Sequence, residues 1–425
     1  MAQTRANLKS REISSEQPAS SPADSSTPLS PRSSIERRPQ LLRTFTEIRS
    51  RKMGCCISRP SVQHDTHHSY GYTQDAESTA AESRQSSPGS ESQWQQFPKS
   101  PRRAASGSTS WPSPSVRVTE KLQLLTQALQ RARRAEISPA LVQYGQHIAN
   151  DLANNVQPNE DTLSLDIDNF PRLAGGYNSR YPGLNLSHMD SPAAFLNALA
   201  DCSSDISWRA VVRLEDGGKH HFVADVRTRA GEPPSVIVME AASLYTFVTA
   251  YTNLRRQSLQ RLGPEPKWAF IGVGAQKSEA DCVMFGMNFA LAAHHRSSTF
   301  DDWHENLHQH GTIADKGNDS GQFMPSPDAM LEFAQINLFH GEQFLPALFY
   351  KHSHSKGVVD EVADHQSGIK DKDMSSSRRA QKSESLSERL DAFAVHREGK
   401  KPYSASIETS RATKIRTALD KMLYD

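Results

Sequence analysis

The residue best suited to covalent chemistry is Cys282. It stands in the run Gln276-Lys277-Ser278-Glu279-Ala280-Asp281-Cys282-Val283-Met284-Phe285-Gly286, after an apolar stretch and a polar loop, at the mouth of an expected helix over Ala280–Ala293. The first turn of a helix has unpaired N–H groups and a partial positive charge. Both favour thiolate over thiol, and the thiolate is the nucleophilic form. Gln276 carries an amide that can donate to an oxyanion developing beside such a nucleophile. A thiolate needs a base, and the base needs an acid to orient it. Upstream, His220-His221-Phe222-Val223-Ala224-Asp225-Val226 reads as a strand, Arg229–Pro234 as a turn and Ser235–Glu240 as the next strand. A hairpin centred near Ala230-Gly231 pairs residues whose numbers sum to 461, which sets His221 opposite Glu240. Asp225, on the same strand face as His221, is the rival acid. The bland readings are a small buried thiol at a helix start and a structural histidine at a strand edge.

Two further motifs offer different chemistry. His304-Glu305-Asn306-Leu307-His308 is a literal H-E-x-x-H, in which two histidines one helical turn apart can hold zinc with Glu305 as base. Its extended form requires a third ligand where this chain has Ala314, and His294, His295 and His310 make a chance match cheap. Gly272-Val273-Gly274-Ala275-Gln276-Lys277-Ser278 is a broken phosphate loop, because Gln276 replaces the glycine needed before the lysine. No metal is expected.

The elements that would position Cys282 and its partners follow from the apolar pattern. Residues 1–115 are rich in Ser, Pro, Arg, Gln and Thr and cannot bury enough apolar surface to offset their ordering entropy; they read as disordered. Leu122, Leu125, Leu129 and Ala132 form a helix stripe, and Ser138-Pro139 opens a second helix carrying Leu141, Tyr144, Ile148 and Leu152 on one face. Trp208–Leu214 and His220–Val226 read as half-buried strands, Ala241–Leu262 as a helix stopped at Gly263-Pro264, and Trp268–Val273 as a strand. Residues 357–385 read as a flexible linker, and 386–425 as a C-terminal helical segment in which Ala412, Ile415, Leu419 and Met422 share a face. The fold class is therefore α/β, a small mixed sheet flanked by helices, with a folded domain over 116–356 that carries Cys282 and helical segments before and after the sheet. Four cysteines show no disulfide framework, which suits a reducing compartment. A net charge of +1 gives no field that would recruit nucleic acid. No apolar run reaches transmembrane length; Ser235–Tyr251 is interrupted by Glu240.

The order of histidine, acid on the next strand, then glutamine and cysteine at a helix mouth resembles the YopJ family of type III secreted acetyltransferase effectors, in its plant-pathogen branch. Phe170-Pro171-Arg172-Leu173, Tyr181-Pro182, Phe285–Ala292 and Leu348-Phe349-Tyr350-Lys351-His352 also match the family, and the resemblance covers roughly Leu122 to Lys356. It implies a core shared with the ubiquitin-like-protein proteases, with His221 as base, Glu240 as orienting acid, Gln276 at the oxyanion hole and Cys282 as nucleophile. It implies ping-pong transfer of acetyl from acetyl-CoA to Ser, Thr or Lys of host signalling or immune proteins. It also implies activation by inositol hexakisphosphate, for which Arg255, Arg256, Lys351 and Lys356 are candidate ligands, and self-acetylation at Lys351. A cysteine protease acting on ubiquitin-like modifiers uses the same triad with water as acceptor. A non-catalytic binder of host proteins is the remaining alternative, and it predicts full effect without Cys282. Finally, Met53-Gly54-Cys55-Cys56-Ile57-Ser58 is an N-myristoylation signal placed internally. Translation from Met53, or processing that exposes Gly54, would allow myristoylation at Gly54 and palmitoylation at Cys55 or Cys56, and so anchor the product at the host plasma membrane; otherwise it would be in the host cytoplasm.

Overall fold

The computed structural model describes residues 115–202, 204–314, 325, 328–375, 383–397 and 400–424. The reading of residues 1–114 as disordered and the lipidation residues Gly54, Cys55 and Cys56 fall outside the described residues.

Three helices open the described chain: α1 (Val116–Arg134), α2 (Pro139–Ala153) and α3 (Glu160–Arg180). Each start is chemically legible. The Ser115 hydroxyl accepts from the Val118 N–H at 3.3 Å, Pro139 occupies the first helical turn, and Asn159 with Thr162 forms a capping box. Ser138 precedes α2 as expected, but its side chain makes no capping bond. The α1 stripe buries Leu125, Ala128, Leu129 and Ala132, with Leu122 partly buried.

The sheet follows. Strands β1 (Leu186–Met189), β2 (Ile206–Arg213), β3 (His221–Thr228), β4 (Ser235–Glu240), β5 (Lys267–Gly272) and β6 (Leu338–His340) lie in that spatial order. β2–β3 and β3–β4 are antiparallel; β1–β2, β4–β5 and β5–β6 are parallel. Helix α4 (Pro192–Ala200) joins β1 to β2, α5 (Val248–Leu262) joins β4 to β5, and α6 (Cys282–His295) with α7 (Ser297–His310) and the short α8 (Ala329–Phe333) lead from β5 to β6.

Two cores share this sheet. Val223, Ile237, Met239, Ala269 and Ile271 face one that includes α6 and the opening helices. Phe222, Ala224, Val226, Val236, Val238 and Phe270 face another beneath α4 and α5. The central strands are thus buried on both faces rather than half-buried, because parallel crossovers lay helices on both sides.

After the sheet come α9 (Lys356–His365), α10 (Leu386–Ala392), a hairpin of β7 (Ala394–Arg397) and β8 (Lys400–Ser404), and the final helix α11 (Ser406–Tyr424). The expected linker over 357–385 is corrected in part. Its first third is helical because Val358, Val359 and Val362 form a narrow buried stripe within a polar composition; residues 376–382 lie outside the described residues. The last helix begins at Ser406, earlier than the pattern from Arg411 indicated. It packs on α1, α2 and α3, burying Ala412, Ile415 and Leu419 while Met422 is 36% exposed.

Candidate active site

The chain leaves β5 at Gly272 and is pinned to the end of β4 before it enters α6. Val273 N–H donates to the Glu240 carbonyl at 2.9 Å and Gln276 N–H to the Ala241 carbonyl at 2.8 Å. Cys282 is then the first residue of α6 and is only 1% exposed. One turn later, Gly286 lets the helix lie close on β2: a Cβ there would come within 3.0 Å of Val211. The sheet thus brings the start of β3, the end of β4 and the mouth of α6 together.

The carboxylate of Glu240 is buried and fully engaged. It accepts from His220 Nε2 at 2.8 Å, from the Tyr251 hydroxyl, and from Ala242 N–H at 2.7 Å. His220 stacks on Phe247 with ring centroids 3.7 Å apart. Burial alone would lower the pKa of His220, but Glu240 and then Cys282 raise it to about 10. His220 is therefore an imidazolium at neutral pH, held by the Glu240 carboxylate and placed beside Cys282.

His221 is different. Its Nδ1 lies 2.9 Å from the Lys219 carbonyl and 3.8 Å from Cys282 Sγ. Its ring packs against His188 at 5.2 Å. Burial first, and His188 next, lower its pKa to about 3, so it stays neutral. Its Nδ1 then carries the proton, donated to the Lys219 carbonyl.

The expected His221–Glu240 pair is therefore corrected: the histidine on Glu240 is His220. The hairpin register pairs Val223 with Met239, so partner numbers sum to 462 rather than 461. Glu240 thereby joins the face of Val236 and Val238, and a one-residue slip of this kind exchanges the two faces of a strand. Asp225 is excluded as the orienting acid by its own partners, Arg209 at 2.7 Å, Arg227 and His304 at 3.0 Å; the arginines hold its carboxyl far below the usual range against burial.

Gln276 is buried in the loop before α6, where its side-chain nitrogen donates to the Ser278 carbonyl at 2.7 Å. The four cationic candidates do not converge. Arg255 on α5 lies 5.1 Å over Trp268 in the second core and donates to the Gln335 carbonyl, Arg256 donates to Asn253, and Lys356 pairs with Asp391 at 2.6 Å. Lys351 instead lies near Arg389 and Lys121, with Glu384 and Asp373 also acting on it. Burial, then Arg389 and Lys121, lower its pKa to about 8. Lys121 on α1 is lowered by burial and then by Arg416, Arg389 and Arg117. This basic cluster unites α1, α10, α11 and Lys351, which follows the turn Ala347–Tyr350; its members are scattered in sequence, so no local motif marked it.

The H-E-x-x-H segment is helical, but its first histidine and its glutamate are already engaged. His304 lies 2.7 Å from Ser235 Oγ and 3.0 Å from Asp225, and Glu305 pairs with Arg229 at 2.6 Å. Among the described residues the group with metal-like spacing is Asp281, His354 and Glu408.

A buried thiol at a helix mouth beside a carboxylate-held imidazolium is an arrangement suited to cysteine-dependent group transfer, here on an α/β sheet with helices on both faces. The chain belongs to the YopJ serine/threonine acetyltransferase family, whose profile matches residues 141–417. It is 59% identical over 224 residues to a serine/threonine-protein acetyltransferase of Sinorhizobium fredii, covering 53% of this chain and 86% of that one. It is 29% identical over 328 residues to the serine/threonine-protein acetyltransferase HopZ1a of Pseudomonas syringae pv. syringae, covering 72% and 86% respectively. The crystal structure of HopZ1a in complex with IP6 and CoA superimposes with a TM-score of 0.62 at 26% identity, covering 73% of this chain and 99% of that one.

Proposed function

We propose that this protein is an acetyl-CoA-dependent acetyltransferase that modifies Ser, Thr or Lys of host signalling or immune proteins by ping-pong transfer. The observation that carries the reading is His220 held between Glu240 and Cys282. Cys282, as thiolate with His220 as imidazolium, attacks the acetyl carbonyl. The C–S bond to coenzyme A breaks, and His220 gives its proton to the departing thiolate. In the second half His220, now neutral, takes the proton from the acceptor hydroxyl or amine as it attacks the Cys282 thioester, which frees the thiolate and restores the imidazolium. Gln276 and the first-turn N–H groups of α6 are the candidate donors to the oxyanion of both tetrahedral intermediates.

The HopZ1a complex supports coenzyme A as substrate and inositol hexakisphosphate as activator. The basic cluster of Lys121, Lys351, Arg389 and Arg416 fits a polyphosphate, because a multiply charged anion relieves the repulsion among them. Lys351, with its lowered pKa, has a larger neutral fraction than an ordinary lysine and suits self-acetylation. Intact-mass measurement after incubation with acetyl-CoA, with and without inositol hexakisphosphate, tests the reading: one acetyl on the protein, dependent on Cys282, is expected. Release of acetate or cleavage of a ubiquitin-like substrate without stable acetylation would instead favour the hydrolase. The protein is further proposed to enter host cells by type III secretion, and to reach the plasma membrane through acylation at Gly54, Cys55 and Cys56. Gly54→Ala should move it from the membrane to the soluble fraction without altering transfer in solution, and a soluble wild type would refute the anchor.

A further inference from the structure

Arg411 on α11 is fully buried and holds two carboxylates from distant parts of the chain. Its Nε and Nη2 donate to Asp166 of α3 at 2.8 and 2.9 Å, and Nη2 also donates to Asp281 at 2.6 Å. Asp281 immediately precedes Cys282, at the N-cap position of α6. An aspartate there ordinarily accepts from the first-turn N–H groups, yet this side chain caps nothing. It accepts instead from Arg411, from Ser278 Oγ at 2.5 Å and from His354 Nε2 at 3.2 Å.

His354 completes the clasp. Lys277 N–H donates to its Nδ1 at 3.0 Å, so the ring proton is on Nε2 and points at Asp281. Both ring nitrogens of His354 are committed and Asp281 already accepts from Arg411, so the Asp281–His354–Glu408 group is better read as a clasp than as a cation site. It grips the loop before the nucleophile from Lys277 to Asp281 and ties it to α3 and α11.

We infer that Arg411 is a positioning residue for acyl transfer. It draws the Asp281 carboxylate off the mouth of α6, which leaves the first-turn N–H groups to the thiolate and the oxyanion, and it fixes the nucleophile's helix to α3 and α11. This rests on the reading of Cys282 as nucleophile.

The test uses the full chain. Arg411→Met should lower kcat for acetyl transfer by about 100-fold, the scale of a lost oxyanion donor, with KM for acetyl-CoA within about threefold. Alkylation of Cys282 by iodoacetamide should slow in parallel. Asp166→Asn, on α3, loosens the same arginine from its far side and should lower both rates about tenfold; Arg411→Lys, which keeps the charge but loses the fork, should fall between the two. Leu254→Ala, in the second core, is the stability control: it should lower Tm while leaving alkylation and kcat at wild-type values where it is folded. If Arg411→Met does not fold, Arg411→Lys and Asp166→Asn decide. Folded clasp variants with alkylation and kcat within about threefold of wild type would overturn the inference. Acetyl transfer by Cys282→Ala would instead overturn the nucleophile reading itself, so the two failures are distinguishable.

Discussion

Two adjacent histidines take different protonation states, one charged and one neutral, because their side chains leave the backbone on opposite faces. His220 meets Glu240, Phe247 and Tyr251, and its pKa rises to about 10. His221 meets His188 in a buried setting, and its pKa falls to about 3. The sequence made the doublet visible, but the choice of His221 rested on a hairpin register that is one residue off from the one observed. His220→Ala should lower acetyl transfer by roughly 10³-fold or more, as loss of a base within a coupled triad does. His221→Ala should cost about tenfold, because a neutral ring 3.8 Å from the sulfur contributes polarity, not proton transfer. Equal losses in the two folded variants would reverse the assignment. The elevated value also sets a stability window. A folded pKa of about 10, above the ordinary 6.5, contributes stability that is fully present below about 6.5 and is lost as pH rises through 10. The Tm difference between wild type and His220→Gln should therefore be widest near pH 6 and close above pH 10. A gap that widens with pH would show that His220 is not protonated in the folded state.

At the scale of elements, the strand–loop–helix that presents Cys282 was legible because it is local: an apolar run, a polar loop and a cysteine opening a helix. The order of the strands in the sheet was not, since pairing of β4 with β5 and of β5 with β6 depends on where the crossover helices pack. The alternation expected for half-buried strands also misled, because helices cover both faces of β2 and β3. The close approach of α6 to β2 makes a specific demand at Gly286, where even a Cβ would sit 3.0 Å from Val211. Gly286→Val adds bulk against a strand fixed in the middle of the sheet. It should destabilise the protein by about 1–3 kcal/mol, the usual range for overpacking a filled core. Chemical denaturation measures this directly, and a folded Gly286→Val variant of wild-type stability would show that α6 can shift away from β2.

Across the described residues, α11 packs on α1 to α3, so the helical part expected on both sides of the sheet is a single packed unit. What sequence could not supply is the convergence of charges this packing creates. Lys121, Lys351, Arg389 and Arg416 come from four segments, and their mutual repulsion together with burial lowers the pKa values of both lysines. Such a cluster costs stability when empty, and a polyanion that binds only the folded chain returns it. At a concentration of about 100 times its Kd, a ligand of this kind stabilises by roughly 2.7 kcal/mol, enough to raise Tm by about 2–8 °C. Inositol hexakisphosphate should therefore raise Tm, and added salt should shrink the shift as the charges are screened. Lys351→Gln should raise the Tm of the unliganded protein or leave it unchanged, because it relieves repulsion, while reducing the ligand-induced shift. Arg255→Gln, over Trp268 in the other core, should leave that shift intact. If Arg255→Gln abolished the shift and Lys351→Gln did not, the polyphosphate would lie against α5, and the cluster joining α1 to α10 and α11 would have some other role.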